Sequence, residues 1–221
     1  MPPVLRALVG AAAATALVVA VGTLGSGPAA EDDAAAPPAP VPTSTPLAEL
    51  DTDALAVRRA GFCAAVAPER VAEALGAEPS RAAAYDDGDR VALGAGVTDV
   101  AHEHGCAWTA ADGTVARGWV FAPPVTPGQA RELARDALRA DGCARLPDAA
   151  SFGTPSAGVL CEAGRSREAA YGGLWGDAWL SCSLRVPASS DTTPGRLADR
   201  TSRWCASVLV AAATDASTPG E

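Results

Sequence analysis

The alternation of apolar and polar residues beyond position 46 predicts three helices. The first begins at Pro68 and ends at Gly76, because proline favours the first position of a helix and glycine favours its end. The second begins at the capping sequence Thr-Pro-Gly-Gln at 126–129 and ends at Gly142. The third begins at Thr-Pro-Gly at 193–195. Apolar residues at helical spacing follow both Thr-Pro-Gly starts, so each of these helices has one face to bury.

Five runs predict strands, at 106–109, 115–122, 159–162, 169–175 and 178–186. A turn containing Asp112 and Gly113 joins the first two. In the second run one strand face carries Val115, Arg117, Trp119 and Phe121. The predicted fold class is α+β: an antiparallel sheet with helices packed on one face, stabilised by disulfides. We expect this domain to follow an N-terminal hydrophobic helix and a proline-rich linker.

The amino end carries a long apolar segment. Arg6 precedes 18 uncharged residues at 7–24, which as a helix would measure about 27 Å, close to the thickness of a bilayer core. Residues 1–27 are therefore either a cleaved secretory signal peptide or an uncleaved membrane anchor. The acidic residues at 31–33 and the single arginine before the segment agree with export of everything that follows. We expect an extracytoplasmic protein, anchored in the cell membrane or secreted.

Composition divides the remaining chain into three parts. Residues 28–48 form a linker rich in proline and alanine, which favours an extended chain and cannot build a core. Residues 49–213 have the composition of one globular domain. Residues 214–221 are predicted to be a flexible tail.

The charged residues exclude several classes of function. The 26 acidic residues outnumber the 17 basic ones, all of which are arginine, and the net charge is −9. A chain with this net negative charge would be repelled by the phosphates of nucleic acid, so we exclude nucleic acid as a partner. A chain without lysine also has no P-loop lysine and no Schiff-base lysine. We expect no cofactor.

All six cysteines fall in the predicted extracytoplasmic domain, and their even number predicts three disulfides. The closest two are 18 positions apart, which is unlike the clustered ligands of a zinc site. Fifteen pairings are possible. We favour bonds between neighbours along the chain, each worth about 3–4 kcal/mol in the chain-entropy model. These pairs are Cys63–Cys106, Cys143–Cys161 and Cys182–Cys205.

Part of this framework resembles a known pattern. The sequence Phe-Cys-Ala-Ala-Val at 62–66, the helix end Ala-Leu-Gly at 74–76 and Gly-Cys-Ala-Trp at 105–108 resemble small secreted proteins and lipoproteins of actinobacteria. The layout is also similar to the extracellular sensor domains of mycobacterial receptor kinases. The resemblance implies an exported domain but no activity. The chain lacks a lipid-accepting cysteine near its apolar segment and carries four additional cysteines, so lipid anchoring is not implied.

No complete set of catalytic residues is evident, so the leading hypothesis is a non-catalytic binding or sensing module of the cell envelope. Its partner would be an envelope protein, a peptide or a glycan. One alternative is an envelope hydrolase that uses paired carboxylates. Another is a metal-binding protein, because His102 and His104 would lie on the same side of a strand. Trp175 and Trp179 could line a stacking groove for sugar or peptide, or pack in the core.

Overall fold

The structure is a computed structural model and describes residues 44–94 and 97–215. It contains three α-helices, which begin at the predicted positions: α1 Pro68–Leu75, α2 Pro127–Arg139 and α3 Pro194–Ala212. Short 3-10 helices occupy Leu47–Glu49, Thr52–Ala54 and Cys63–Ala65.

Eleven strands are described, and every strand pair is antiparallel. Seven of them form one sheet in the order β2-β5-β6-β10-β9-β8-β7, while β1 pairs with β11 and β3 pairs with β4. The strands are β1 Leu55–Val57, β2 Arg81–Tyr85, β3 Arg90–Gly94, β4 Val97–Val100, β5 Glu103–Thr109, β6 Val115–Phe121, β7 Cys143–Arg145, β8 Ser156–Ala163, β9 Ser166–Trp175, β10 Ala178–Pro187 and β11 Ala213–Asp215. The predicted α+β class, antiparallel sheet and disulfides are confirmed.

The helix ends follow from their local sequence. The Thr126 side chain accepts a hydrogen bond from the Gln129 backbone N–H at 3.3 Å, and the Gln129 side chain accepts one from the Thr126 N–H at 2.9 Å. This reciprocal box satisfies two donors that a helix start leaves free. At the other end of α1, Gly76 adopts the left-handed conformation with φ 73°, and Arg200 from α3 donates to the Ala74 carbonyl at 2.6 Å.

The helices lie on both faces of the large sheet. On β10, Leu180, Cys182 and Leu184 belong to the main core with α1 and α3, whereas Trp179 belongs to a second apolar cluster with α2. Side chains alternate between faces along a strand, so α2 packs opposite α1 and α3. The prediction that the helices share one face is therefore wrong for α2. A Thr-Pro-Gly start fixes where a helix begins and carries no information about the side of the sheet it covers.

Trp204 of α3 is the largest fully buried side chain of the main core, with 1% exposure. Its ring meets that of Trp108 on β5 edge-on, with the centroids 5.4 Å apart. Its indole N–H donates to the Arg117 backbone carbonyl at 2.8 Å. Aromatic bulk of this kind fills an interior in which many of the other buried residues are alanine.

The three disulfides join the cysteines that neighbour each other along the chain, which is the pairing favoured from the sequence. Cys63–Cys106 connects the segment before α1 to β5. Cys143–Cys161 joins directly opposed residues of β7 and β8. Cys182–Cys205 ties the centre of the sheet to α3, and both of its cysteines are fully buried. The protein is thus a disulfide-stabilised domain.

Both predicted boundaries of the domain need correction. Leu47, placed in the linker, is 1% exposed and packs in the main core. Ser44 is held by the Glu73 carboxylate, which accepts from its backbone N–H and its hydroxyl, both at 2.9 Å. At the other end, residues 214–215 of the predicted tail pair with β1. The ordered domain extends further in both directions because apolar contact and strand pairing outweigh local polarity.

Hydrogen bonding sets the acidity of Glu73. Burial alone would raise the pKa of this carboxyl, but the hydrogen bonds from Ser44 and from the Arg70 guanidinium outweigh burial, so the pKa lies below its usual range. The Arg203 guanidinium also donates to the Ser44 carbonyl. We call Ser44, Glu73 and Arg203 the N-terminal clamp, because they fix the chain where it enters the domain.

The N-terminal predictions concern residues that the structure does not describe. The apolar segment 7–24 and linker residues 28–43 lie outside the described ranges. Within residues 44–94 and 97–215, no helix combines the length and the apolar character needed to cross a bilayer. The signal peptide or anchor therefore stays a prediction from the sequence.

Candidate functional site

Helix α2 covers only part of its face of the sheet. It packs on β7, β8 and β9, and it leaves the same face of β2, β5 and β6 without a covering helix. The strand register shows which side chains share this open face. One cross-strand row contains Ala83, Ala107, Arg117, Ser183 and Ala170, and the next contains Tyr85, Gly105, Trp119, Ser181 and Gly172. Most of these side chains are small.

A trough of about 240 Å³ lies between α2 and β6 on this face. Trp119 and Phe121 of β6 form one wall, and Leu133 and Ala137 of α2 form the other. All four side chains are partly exposed to solvent. The floor is made by residues of β8, β9 and β10, namely Ala157, Val159, Ala170, Gly172, Trp179 and Ser181. The trough is therefore an open, largely apolar depression in the sheet surface.

Glycine at position 172 lets a tryptophan lie across the floor. A Cβ atom at Gly172 would come within 2.9 Å of the Trp179 ring, so any larger residue would displace the indole. Trp175 projects to the opposite face, because its register partner is Ala178 whereas that of Trp179 is Leu174. Trp175 packs edge-on against Phe152 in the main core, with ring centroids 5.7 Å apart. The two tryptophans therefore do not share a groove, and only Trp179 lines the trough.

A basic residue borders the trough. The Arg117 guanidinium lies over the Trp119 ring, 5.2 Å from the centroid, a distance suited to a cation–π contact. Its side chain is exposed, and no carboxylate of the described residues forms a salt bridge with it. Arg117 thus has a cation–π contact with Trp119 and an interaction with the Tyr85 side chain, and it forms no salt bridge with a carboxylate of the described residues.

An acidic group on this face, Glu103, is hydrogen-bonded to Tyr85, which also interacts with Arg117. The Tyr85 hydroxyl donates a hydrogen bond to the Glu103 carboxylate, and the Tyr85 ring crosses Gly105, where a Cβ atom would collide with it. Burial, the hydrogen bond to Glu103 and the negative charge of Glu103 raise the pKa of Tyr85 to about 12, against the opposing effect of the nearby Arg117 guanidinium. Tyr85 therefore stays protonated and keeps this carboxylate hydrogen-bonded.

Ser183 lies directly across from Arg117 in the β6–β10 ladder. Its side chain is 1% exposed, and its hydroxyl has no hydrogen-bond partner among the described residues. Burying a hydroxyl without a partner costs free energy.

The two histidines are directed to different carboxylates. His104 Nδ1 lies 2.8 Å from Asp86 Oδ1, and His102 Nδ1 lies 3.9 Å from Asp87 Oδ1. Cys106 is consumed in a disulfide. In the part of the chain that the structure describes, no three His, Cys, Asp or Glu side chains come together as a metal site. The metal-binding alternative at His102 and His104 is therefore not supported, because each imidazole is used in a contact with the turn before β3.

Paired carboxylates, which the hydrolase alternative requires about 5–9 Å apart, do not line the trough. Three other grooves on the described surface carry at most one carboxylate each, Glu103 beside the β3–β4 hairpin and Glu73 at the N-terminal clamp. The chemistry that the trough can support is contact with apolar groups beside a fixed cation.

No protein-family profile matches the chain, and no curated protein is significantly similar to it. The site must therefore be judged by its own chemistry.

The sequence predicts a shared strand face here but does not mark it as a candidate site. The shared face of Arg117, Trp119 and Phe121 follows from strand alternation. The floor was missed, because Ala170 and Gly172 are small residues in a glycine-rich run that has no chemistry of its own. A run of small residues at every second position of a strand is the signal that could have indicated it.

Proposed function

We propose that the protein is an exported binding domain of the cell envelope, which holds the apolar chain of a ligand in the trough beside α2. The single observation that carries this proposal is the trough itself, an apolar depression open to solvent on a face that α2 leaves partly uncovered. Burying an apolar chain there would remove the Trp119, Phe121 and Leu133 side chains from water.

The covalent framework supports an extracytoplasmic location. Three disulfides in a small domain are typical of proteins that fold in an oxidising compartment. Together with the apolar segment at 7–24 they favour a domain held at the membrane surface or released from it.

An apolar chain fits the trough better than a peptide or a glycan does. The amides of a peptide and the hydroxyls of a sugar need hydrogen-bond partners when they leave water. The walls offer aromatic and aliphatic groups instead. The trough has a volume of about 240 Å³ and is open to solvent, so a medium-length acyl chain is a suitable probe.

Binding of octanol tests the proposal. The full chain in lipid nanodiscs is titrated with octanol, and tryptophan fluorescence is followed after subtraction of empty nanodiscs. We expect saturable binding because Trp119 and Trp179 line the trough. Ala137→Phe on the α2 wall fills the trough and should abolish binding. Ala140→Phe, at an exposed position just after α2, is the matched control and should bind normally.

The same titration with a soluble digest of cell wall separates the other partners. Equal octanol binding by the wild type and Ala137→Phe would refute the proposal. So would wall-fragment binding without any octanol binding, which would assign the domain to a glycan or peptide ligand.

A further inference from the structure

We infer that the ligand is an anionic amphiphile, an acyl chain whose carboxylate is bound by Arg117 at the margin of the trough. This inference rests on the proposed function and adds the chemical class of the ligand. It depends on the juxtaposition of a solvent-exposed guanidinium that forms no salt bridge with a described carboxylate and an apolar trough that begins at the ring beneath it.

Trp119 connects the two parts of the site. Its indole forms a wall of the trough, and the same ring carries the Arg117 guanidinium at 5.2 Å from its centroid. A chain lying against Trp119 therefore has its end within reach of a cation. Because the ring holds the side chain in place, less conformational entropy is lost when the guanidinium binds a ligand.

Arg117 forms no salt bridge with a carboxylate of the described residues, and the polar side chain it interacts with is the uncharged Tyr85. The Glu103 carboxylate on the same face is occupied by the Tyr85 hydroxyl. Arg185, one row further along β10, is directly opposite Glu168 of β9, so its charge has a neighbour of opposite sign. Arg117 instead has Ala107 and Ser183 as its cross-strand neighbours. An acidic ligand group is the complement that this position lacks.

The net negative charge of the chain limits anion binding to places where a cation is fixed, such as Arg117. With a net charge of −9 the protein repels anions at long range, so an anionic ligand would be attracted only by a defined cation. A carboxylate matches the planar guanidinium with two parallel hydrogen bonds, whereas an ammonium group at the end of the chain would be repelled.

Three probes of equal chain length test the inference: octanoate, octanol and octylammonium. They are titrated into the full chain in nanodiscs, with empty nanodiscs subtracted. We expect the wild type to bind octanoate about tenfold more tightly than octanol and to bind octylammonium most weakly, since a charge-assisted hydrogen bond gives about that factor. Arg117→Gln should remove the preference for octanoate over octanol.

Two further variants show that the effect belongs to Arg117. Arg117→Lys keeps the charge and should retain most of the preference for octanoate. Arg131→Gln, on the exposed surface of α2, is the matched control and should behave like the wild type.

The outcomes separate the two proposals. Saturable octanol binding without any preference for octanoate, or a preference that survives Arg117→Gln, overturns the anionic ligand and leaves the apolar binding function intact. Loss of both octanol and octanoate binding in the wild type overturns both. Thermal unfolding of each variant identifies any that has failed to fold. If Arg117→Gln does not fold, the wild-type order of the three probes decides, because octylammonium binding as tight as octanoate binding would overturn the anionic ligand.

Discussion

Removal of the core disulfide should destabilise the domain more than removal of the disulfide at the edge of the sheet. The two variants are Cys182→Ala/Cys205→Ala and Cys143→Ala/Cys161→Ala. The first bond joins β10 to α3 in the middle of the core, and the second joins β7, the edge strand, to β8. Comparing them separates the entropy of the unfolded chain from the packing of the folded one.

Loop closure alone predicts that the two variants lose nearly equal free energies of unfolding. The bonds span 23 and 18 residues, and the chain-entropy model gives about 3.4 and about 3.2 kcal/mol for them. Packing makes the difference. Cys182 and Cys205 are both 0% exposed, so each lost sulfur leaves unfilled space, at a cost of about 1 kcal/mol per residue. Cys143 and Cys161 are partly exposed and water can replace them.

We therefore expect the free energy of unfolding to fall by about 5 kcal/mol without Cys182–Cys205 and by about 3 kcal/mol without Cys143–Cys161. The assay is urea unfolding of the full chain, followed by tryptophan fluorescence, with the slopes compared to confirm cooperative unfolding. Losses that agree within 1 kcal/mol would refute the contribution of packing. A larger loss for the edge pair would refute the placement of the core. If Cys182→Ala/Cys205→Ala does not fold, Cys143→Ser/Cys161→Ser still measures the contribution of loop closure to the free energy of unfolding.

Three smaller predictions concern single residues. Glu73→Gln should lower the free energy of unfolding by about 1 kcal/mol at pH 7, measured by urea unfolding. It should also flatten the pH dependence of stability, because a carboxyl with a lowered pKa stabilises the fold above its ordinary pKa. That effect is lost as the pH falls through the pKa of the folded state. Trp204→Phe removes the indole donor to the Arg117 carbonyl and some of the buried ring, and it should lower the free energy of unfolding by about 2 kcal/mol; an unchanged urea midpoint would contradict this. Gly173→Ala would overlap the Phe152 carbonyl and should cost about 3 kcal/mol or more in thermal unfolding. Gly195→Ala, which has open space, is its control and should not destabilise.

The sequence predicts helix ends correctly where a short motif fixes the local backbone conformation. Proline at 68 and glycine at 76 bound α1, and Thr-Pro-Gly starts α2 and α3, as predicted. Strand β2 was missed. Its sequence, Arg-Ala-Ala-Ala-Tyr, has no alternation of apolar and polar residues, and it lies at the edge of the sheet, where four of its five residues are exposed. A strand held mainly by backbone pairing leaves little trace in side-chain pattern.

The candidate site also combines features that follow from local sequence with features that depend on tertiary packing. Strand alternation placed Arg117 and Trp119 on one face, but the sequence could not indicate that α2 would stop short of β6 and leave a trough there. Sequence proximity suggested a joint role for Trp175 and Trp179, which the turn between their strands sends to opposite faces. His102 and His104 were grouped in the same way, and each instead contacts a different aspartate.

The sequence by itself determined the helix starts, the preference for cysteine pairs adjacent along the chain and the prediction of export, because each depends on neighbouring residues or on composition. Only the tertiary structure decided which face of the sheet each helix covers. Two helices with the same Thr-Pro-Gly start lie on opposite faces, because the choice depends on which apolar surface of the sheet each helix buries. That surface exists only after distant strands have paired.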